Sequence, residues 1–170
     1  MMHHKIQNVL DFFRYDITAG VKNLIRWFPV IWKDRNWDYN FIYMILKYKL
    51  HLMEKNIRNY GHHVRAEQDA DKIKICVNLL DRLIKDEYHD NAFKSHYKKW
   101  GDAKMSFHDL KDEPGLCQLK IDYPNVKTEE DKKEQSKGFR ICSVLEQNLK
   151  EQDLDLLFKL MRKHIQGWWD

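Results

Sequence analysis

The densest cluster of side chains able to do chemistry is the run KDRNWD, Lys33 to Asp38, which closes the stretch RWFPVIWKDRNWD. Arg35 offers a planar fork that fits a phosphate, and Lys33 adds a second cation beside it. Trp32 and Trp37 offer flat faces on which a nucleobase can stack. A plainer reading of the same residues has Asp34 capping a helix, Trp37 entering the core, and Lys33 and Arg35 solvated. Composition alone favours the plainer reading. The C-terminal GWWD, with Trp168 and Trp169, reads in the same way as the anchor of an amphipathic helix.

Nine histidines raise the question of a metal. His62 and His63 are adjacent and are followed by Glu67, Asp69 and Asp71. Such a grouping loosely suggests a metal-dependent phosphohydrolase, in which His and Asp ligands from several helices activate a water. The same carboxylates also suit the first turn of a helix, where the dipole favours negative charge. His89 and His96 are seven residues apart, so on one helix they share a face at a separation too large for a single ion. Cys76, Cys117 and Cys142 are odd in number and far apart, with no CxxC spacing, and read as reduced apolar thiols. There is no HExxH, GxSxG, GxxxxGK or GxGxxG. The sequence therefore nominates no catalytic residue, no metal-ligand set and no cofactor.

The elements that must position these residues follow from composition and periodicity. A chain of 170 residues suits one domain, 1–170, with a real core. Hydrophobic residues at 43% and charged residues at 33% exclude a disordered tail. The longest charge-free apolar run, Trp27 to Trp32, is six residues, against roughly 20 needed to span a bilayer. No signal peptide is apparent, so the expected compartment is the cytosol, with no membrane partner. The net charge of +4 comes from acids and bases interleaved along the whole chain, without the basic stripe of a nucleic-acid binder.

Six glycines and three prolines leave long helices as the main structure. The predicted fold class is mainly all-α: a helical bundle with a long central helix hairpin and an irregular excursion around residues 101–127. A short helix is expected over Ile6–Tyr15 and another from Thr18 or Gly20, which Pro29 should kink or stop. Asp34 or Asn36 should cap a helix over Trp37–Tyr60, closed by Gly61. That helix carries two opposed apolar stripes, Trp37, Phe41, Met44, Ile45, Tyr48 and Leu52 against Tyr39, Ile42, Leu46, Leu50, Met53 and Ile57. Two stripes make it either the central helix or one that meets another subunit. A helix over Ala66–Tyr88 should fold back on it as an antiparallel hairpin. Further helices are expected over Ala92–Trp100, from Thr128, and again from Asp153, with a short strand near Leu116–Ile121.

WFPVIWKDRNWD (Trp27–Asp38), EKNIRNYGHHVRAEQDADKI (Glu54–Ile73) and LLFKLMRKHIQGWWD (Leu156–Asp170) together resemble a group of small tailed-bacteriophage proteins. Asn36 stands where that group's first signature usually has an aspartate. The resemblance implies a phage product acting in the cytoplasm of the infected host bacterium, and no established activity. Three signatures recurring together imply a shared pocket built from Trp32, Lys33, Arg35, Trp37, His62, His63 and Trp168. The function expected is a homo-oligomer, joined through the second apolar face of the 37–60 helix, that binds a phosphate-bearing small ligand without turning it over. A cyclic nucleotide signal of host antiviral defence is the ligand considered. The alternatives are a protein-binding or virion-associated structural module and a metal-dependent phosphohydrolase.

Overall fold

Apolar residues at helical spacing and few helix breakers make the helix the default state of this chain, and the computed structural model is mainly all-α. It describes residues 12–35, 37–109 and 115–168. Asn36, Trp169 and most of the helix expected over Ile6–Tyr15 lie outside the described residues. Among them the order is a π-helical turn (Phe12–Ile17), α1 (Thr18–Ile31), α2 (Asn40–Tyr60), α3 (Ala66–Lys85), α4 (Tyr88–Trp100), β1 (Lys104–Asp109), β2 (Cys117–Asp122) and α5 (Glu129–His164). A short 3-10 turn, Ile165–Gly167, follows. No helix among them is long and apolar enough to cross a membrane.

The chain divides into two compact units, one holding the residues up to Ile84 and those from His164, the other Lys85–Lys163. In the first unit, α1 runs across Pro29 instead of stopping there and ends at Ile31. α2 begins later than the sequence suggests, at Asn40, with Tyr39 at its N-cap, and the Asp38 Oδ1 accepts the Asn40 N–H at 2.9 Å. Gly61 closes α2 without a left-handed turn, at φ −67°. Glycine is needed there because an added Cβ would meet the Ile57 carbonyl oxygen at 2.4 Å and the Ala66 Cβ at 2.8 Å.

The predicted antiparallel hairpin of α2 and α3 is present. Lys47 pairs with Asp81 at 2.5 Å and Arg58 with Asp71 at 2.9 Å, so eleven residues forward on α2 match ten residues back on α3. Leu50 and Ile57 on α2, and Ile73, Cys76 and Leu80 on α3, are almost wholly buried. The second stripe of α2 is therefore covered within the chain over its C-terminal half; only Tyr39 and Ile42 at its start are well exposed. α3 stops at Lys85, three residues earlier than expected, because Asp86 adopts a left-handed backbone at φ 51°. Short polar residues tolerate that conformation better than most.

In the second unit, Gly101 ends α4 at φ 79°, and the Asn125 side chain donates to the Lys99 carbonyl at 3.0 Å. The irregular excursion contains an antiparallel hairpin, with Met105 opposite Ile121 and Phe107 opposite Leu119. β2 matches the expected strand; β1 was not foreseen. α5 starts where predicted, on a reciprocal cap in which the Asp131 N–H donates to Thr128 Oγ1 at 3.0 Å and the Thr128 N–H donates to Asp131 Oδ2 at 2.9 Å. It then runs unbroken for 36 residues, through the break expected at Asp153. Asp153 is no cap. It is buried, and it accepts the Tyr88 hydroxyl at 2.6 Å.

Removing that hydroxyl leaves a buried carboxylate short of a donor. Tyr88→Phe is expected to destabilise the protein by about 1–3 kcal/mol in chemical denaturation; a change below about 0.5 kcal/mol would show that the bond does little for the fold.

Candidate functional site

In the first unit α1 lies beside α2 and is fixed there by Tyr48, whose hydroxyl donates to the Arg26 carbonyl at 2.7 Å. The Tyr48 ring meets Trp27 edge-on, with centroids 5.1 Å apart. Below this contact the two helices part into an open cleft of about 660 Å³. α1 contributes Asn23, Arg26 and Trp27 to its wall. α2 contributes Lys49, Lys55, Asn56, Asn59 and Tyr60, with Leu52, Met53 and Ile57 beneath, and Trp168 enters from the turn after α5.

Local helix geometry places these residues together. Lys49, Leu52, Asn56 and Asn59 recur at intervals of three and four, which keeps them on one face of α2. Asn23, Arg26 and Trp27 do the same on α1. Three cations and three carboxamides face the cleft, and no carboxylate is among its described lining residues. The charge of the described wall is therefore uncompensated within it, while the carboxamides can donate and accept. Trp168 is almost fully buried, and its indole Nε1–H has no hydrogen-bond partner among the described residues. An indole nitrogen can only donate, so this is a donor without an acceptor, and buried donors are rarely left so.

Of the seven residues the sequence nominates, only Trp168 lines this cleft. Trp32, Lys33, Arg35 and Trp37 sit on the turn between α1 and α2 and are all exposed. The Arg35 guanidinium donates to the neighbouring Asp34 carbonyl at 2.7 Å. Trp37, at 83% exposure, does not enter the core. His62 and His63 lie on the turn after α2, and His63 Nε2 meets Asp69 Oδ2 at 3.3 Å. Among the described residues no group of three or more His, Cys, Asp or Glu is placed to hold a metal ion.

His89 and His96 do share a face of α4, in the second unit. His89 lies between Glu146 at 3.1 Å and the Tyr97 hydroxyl at 2.8 Å, and its ring stacks on Phe93. His96 is buried, which pushes its pKa below the ordinary histidine value. The cleft residues Arg26, Lys49, Lys55, Asn56 and Asn59 escaped the sequence reading because each is an ordinary helix-surface residue. The available signal was a seam of α2 bearing lysines and asparagines without an acid among them. No known protein family, no curated protein and no solved structure matches the chain.

Asp69 accepts from Lys72 Nζ at 2.7 Å as well as from His63, and these partners, Lys72 foremost, hold its pKa below the ordinary 3.8. A carboxylate whose folded pKa is depressed adds stability that is fully present above its unfolded pKa and is lost as pH falls through the folded value. Asp69→Asn should therefore cost about 1–3 kcal/mol at pH 7. The gap from wild type should narrow once the pH drops below 3.8. Urea titrations at neutral and strongly acidic pH measure both; a gap that does not change with pH would refute the assignment.

Proposed function

We propose that the chain binds a small phosphate-bearing ligand with a planar base in the cleft between α1 and α2, and holds it without turning it over. The observation that carries this reading is the make-up of the wall: Arg26, Lys49 and Lys55 with three asparagines, Trp27, Tyr60 and Trp168, and no carboxylate among the described lining residues. Cations favour a phosphate, and aromatic faces accept a base of any sequence. Trp168 adds a third aromatic side chain to the wall. Among the described lining residues there is no His, Cys, Ser, Asp or Glu, which supports holding over hydrolysis.

In the infected-cell setting that the phage resemblance implies, a cyclic nucleotide of antiviral signalling has this chemistry, and sequestering it is the role we assign. Arg26→Ala is expected to weaken binding by about 1.5–3 kcal/mol, some ten- to a hundredfold, and Lys49→Ala should act in the same direction. Arg35→Ala, on the exposed turn, should leave affinity unchanged. Calorimetric titration of cyclic mono-, di- and trinucleotides, followed by native mass spectrometry of the mixture, reads affinity and ligand integrity together. A ligand whose affinity depends on Arg35 and ignores Arg26 would move the site to the turn. Recovery of hydrolysed ligand would replace the sequestering role with a catalytic one.

A further inference from the structure

Helix α1 turns its most apolar face away from α2. Val21, Leu24, Ile25, Phe28, Ile31 and Trp32 fall within an arc of about 120° at 100° per residue. Each of them is at least 47% exposed, and Leu24 and Ile25 at the centre reach 66% and 70%. Ile17, one turn earlier, extends the stripe and is also exposed. The cleft residues Asn23, Arg26 and Trp27 occupy the other side, centred about 145° away. No residue of α1 is buried.

We infer that this stripe is the contact between two copies of the chain, paired as antiparallel α1 helices about a two-fold axis between Leu24 and Ile25. The first reason is register. Such an axis sets Leu24 against Ile25, Val21 against Phe28, and Ile17 against Trp32, so apolar side chains meet apolar ones along the stripe. The second is charge: from Thr18 to Ile31 there is no acid to oppose its own image.

Helix direction is the third reason. Antiparallel axes oppose their dipoles, whereas a parallel pair would align the two positive ends. The fourth is size. Seven apolar side chains, each offering on the order of 100 Å² of apolar surface, give about 700 Å² per copy. That is close to the roughly 800 Å² per partner of a standard stable interface, and above the few hundred Å² that a monomer usually exposes in one patch. Because the isologous contact uses one face of α1 and the cleft the other, pairing leaves the cleft open.

Sedimentation equilibrium on the purified chain tests this. The wild type is expected at about twice the 20.8 kDa of one chain, and Leu24→Glu at the single-chain mass with unchanged helical circular dichroism. A second exposed position gives a test that does not depend on tolerance of Leu24→Glu. Ile25→Lys should weaken the dimer at least tenfold with unchanged helical circular dichroism. A monomeric wild type, or a dimer indifferent to both Leu24→Glu and Ile25→Lys, would each overturn the pairing. So would a monomer that binds anionic phosphatidylserine vesicles through Leu24, which would give the stripe to a lipid surface.

Discussion

The first unit depends on the seam between α2 and α3. Leu50, Ile57, Ile73, Cys76 and Leu80 are removed almost completely from water along it, each large aliphatic contributing about 1.5–3 kcal/mol. Ion pairs mark both ends of the seam, and the C-terminal one is a relay. Arg58 holds buried Glu54 one turn back along α2 at 2.7 Å and reaches Asp71 on α3 at 2.9 Å. A carboxylate as buried as Glu54 would be costly without such a partner. With α2 seated on α3 in this way, its remaining side carries Tyr48, Lys49, Leu52 and Asn56. Where α1 lies, and hence what the cleft can bind, follows from which face of α2 the seam consumes.

The same seam explains how far the sequence could be read. α2 and α3 were legible because their cores repeat at helical spacing, and the two opposed stripes on α2 correctly marked a helix flanked on both sides. The cap of α5 was legible for a local reason: Thr128 and Asp131 satisfy each other's backbone donors with no help from elsewhere. Readings failed where a distant contact outweighed a local signal. Asp153 has the residue type of a helix start, but Tyr88, 65 positions earlier, uses it as an acceptor and α5 continues through it. Pro29 removes one helical hydrogen bond, yet α1 carries on for two more residues because the turns on either side of it remain helical.

The site was less legible than the fold. Density of chemistry along the chain pointed to Lys33–Asp38, and of these Lys33, Arg35 and Trp37 are dispersed over an exposed turn. The cleft instead gathers residues spaced along two helices and a third from the far end of the chain. None of its lysines or asparagines is unusual by itself. Their meaning comes from the absence of an acid among the described residues that line the cleft, and that is a property of the folded wall. Trp168 was legible because a tryptophan near a helix end has few places to go except inward, whichever role it then plays.

α1 is the point at which the proposed ligand site and the proposed interface meet. A helix of 14 residues with none of them buried has little tertiary support, and isolated helices of that length are marginal in water. Tyr48 fixes one carbonyl of it, and Trp27 adds an edge contact. Pairing with a second copy would bury the opposite face and hold the helix along its whole length. Asn23, Arg26 and Trp27 would then be presented to the cleft already ordered, so a ligand would not bear the entropy of ordering them. Linkage makes the effect reciprocal: a ligand that binds the ordered wall more tightly must strengthen the dimer by the same factor. On the proposed arrangement assembly and capture would be coupled, because one short helix would have a partner on each side.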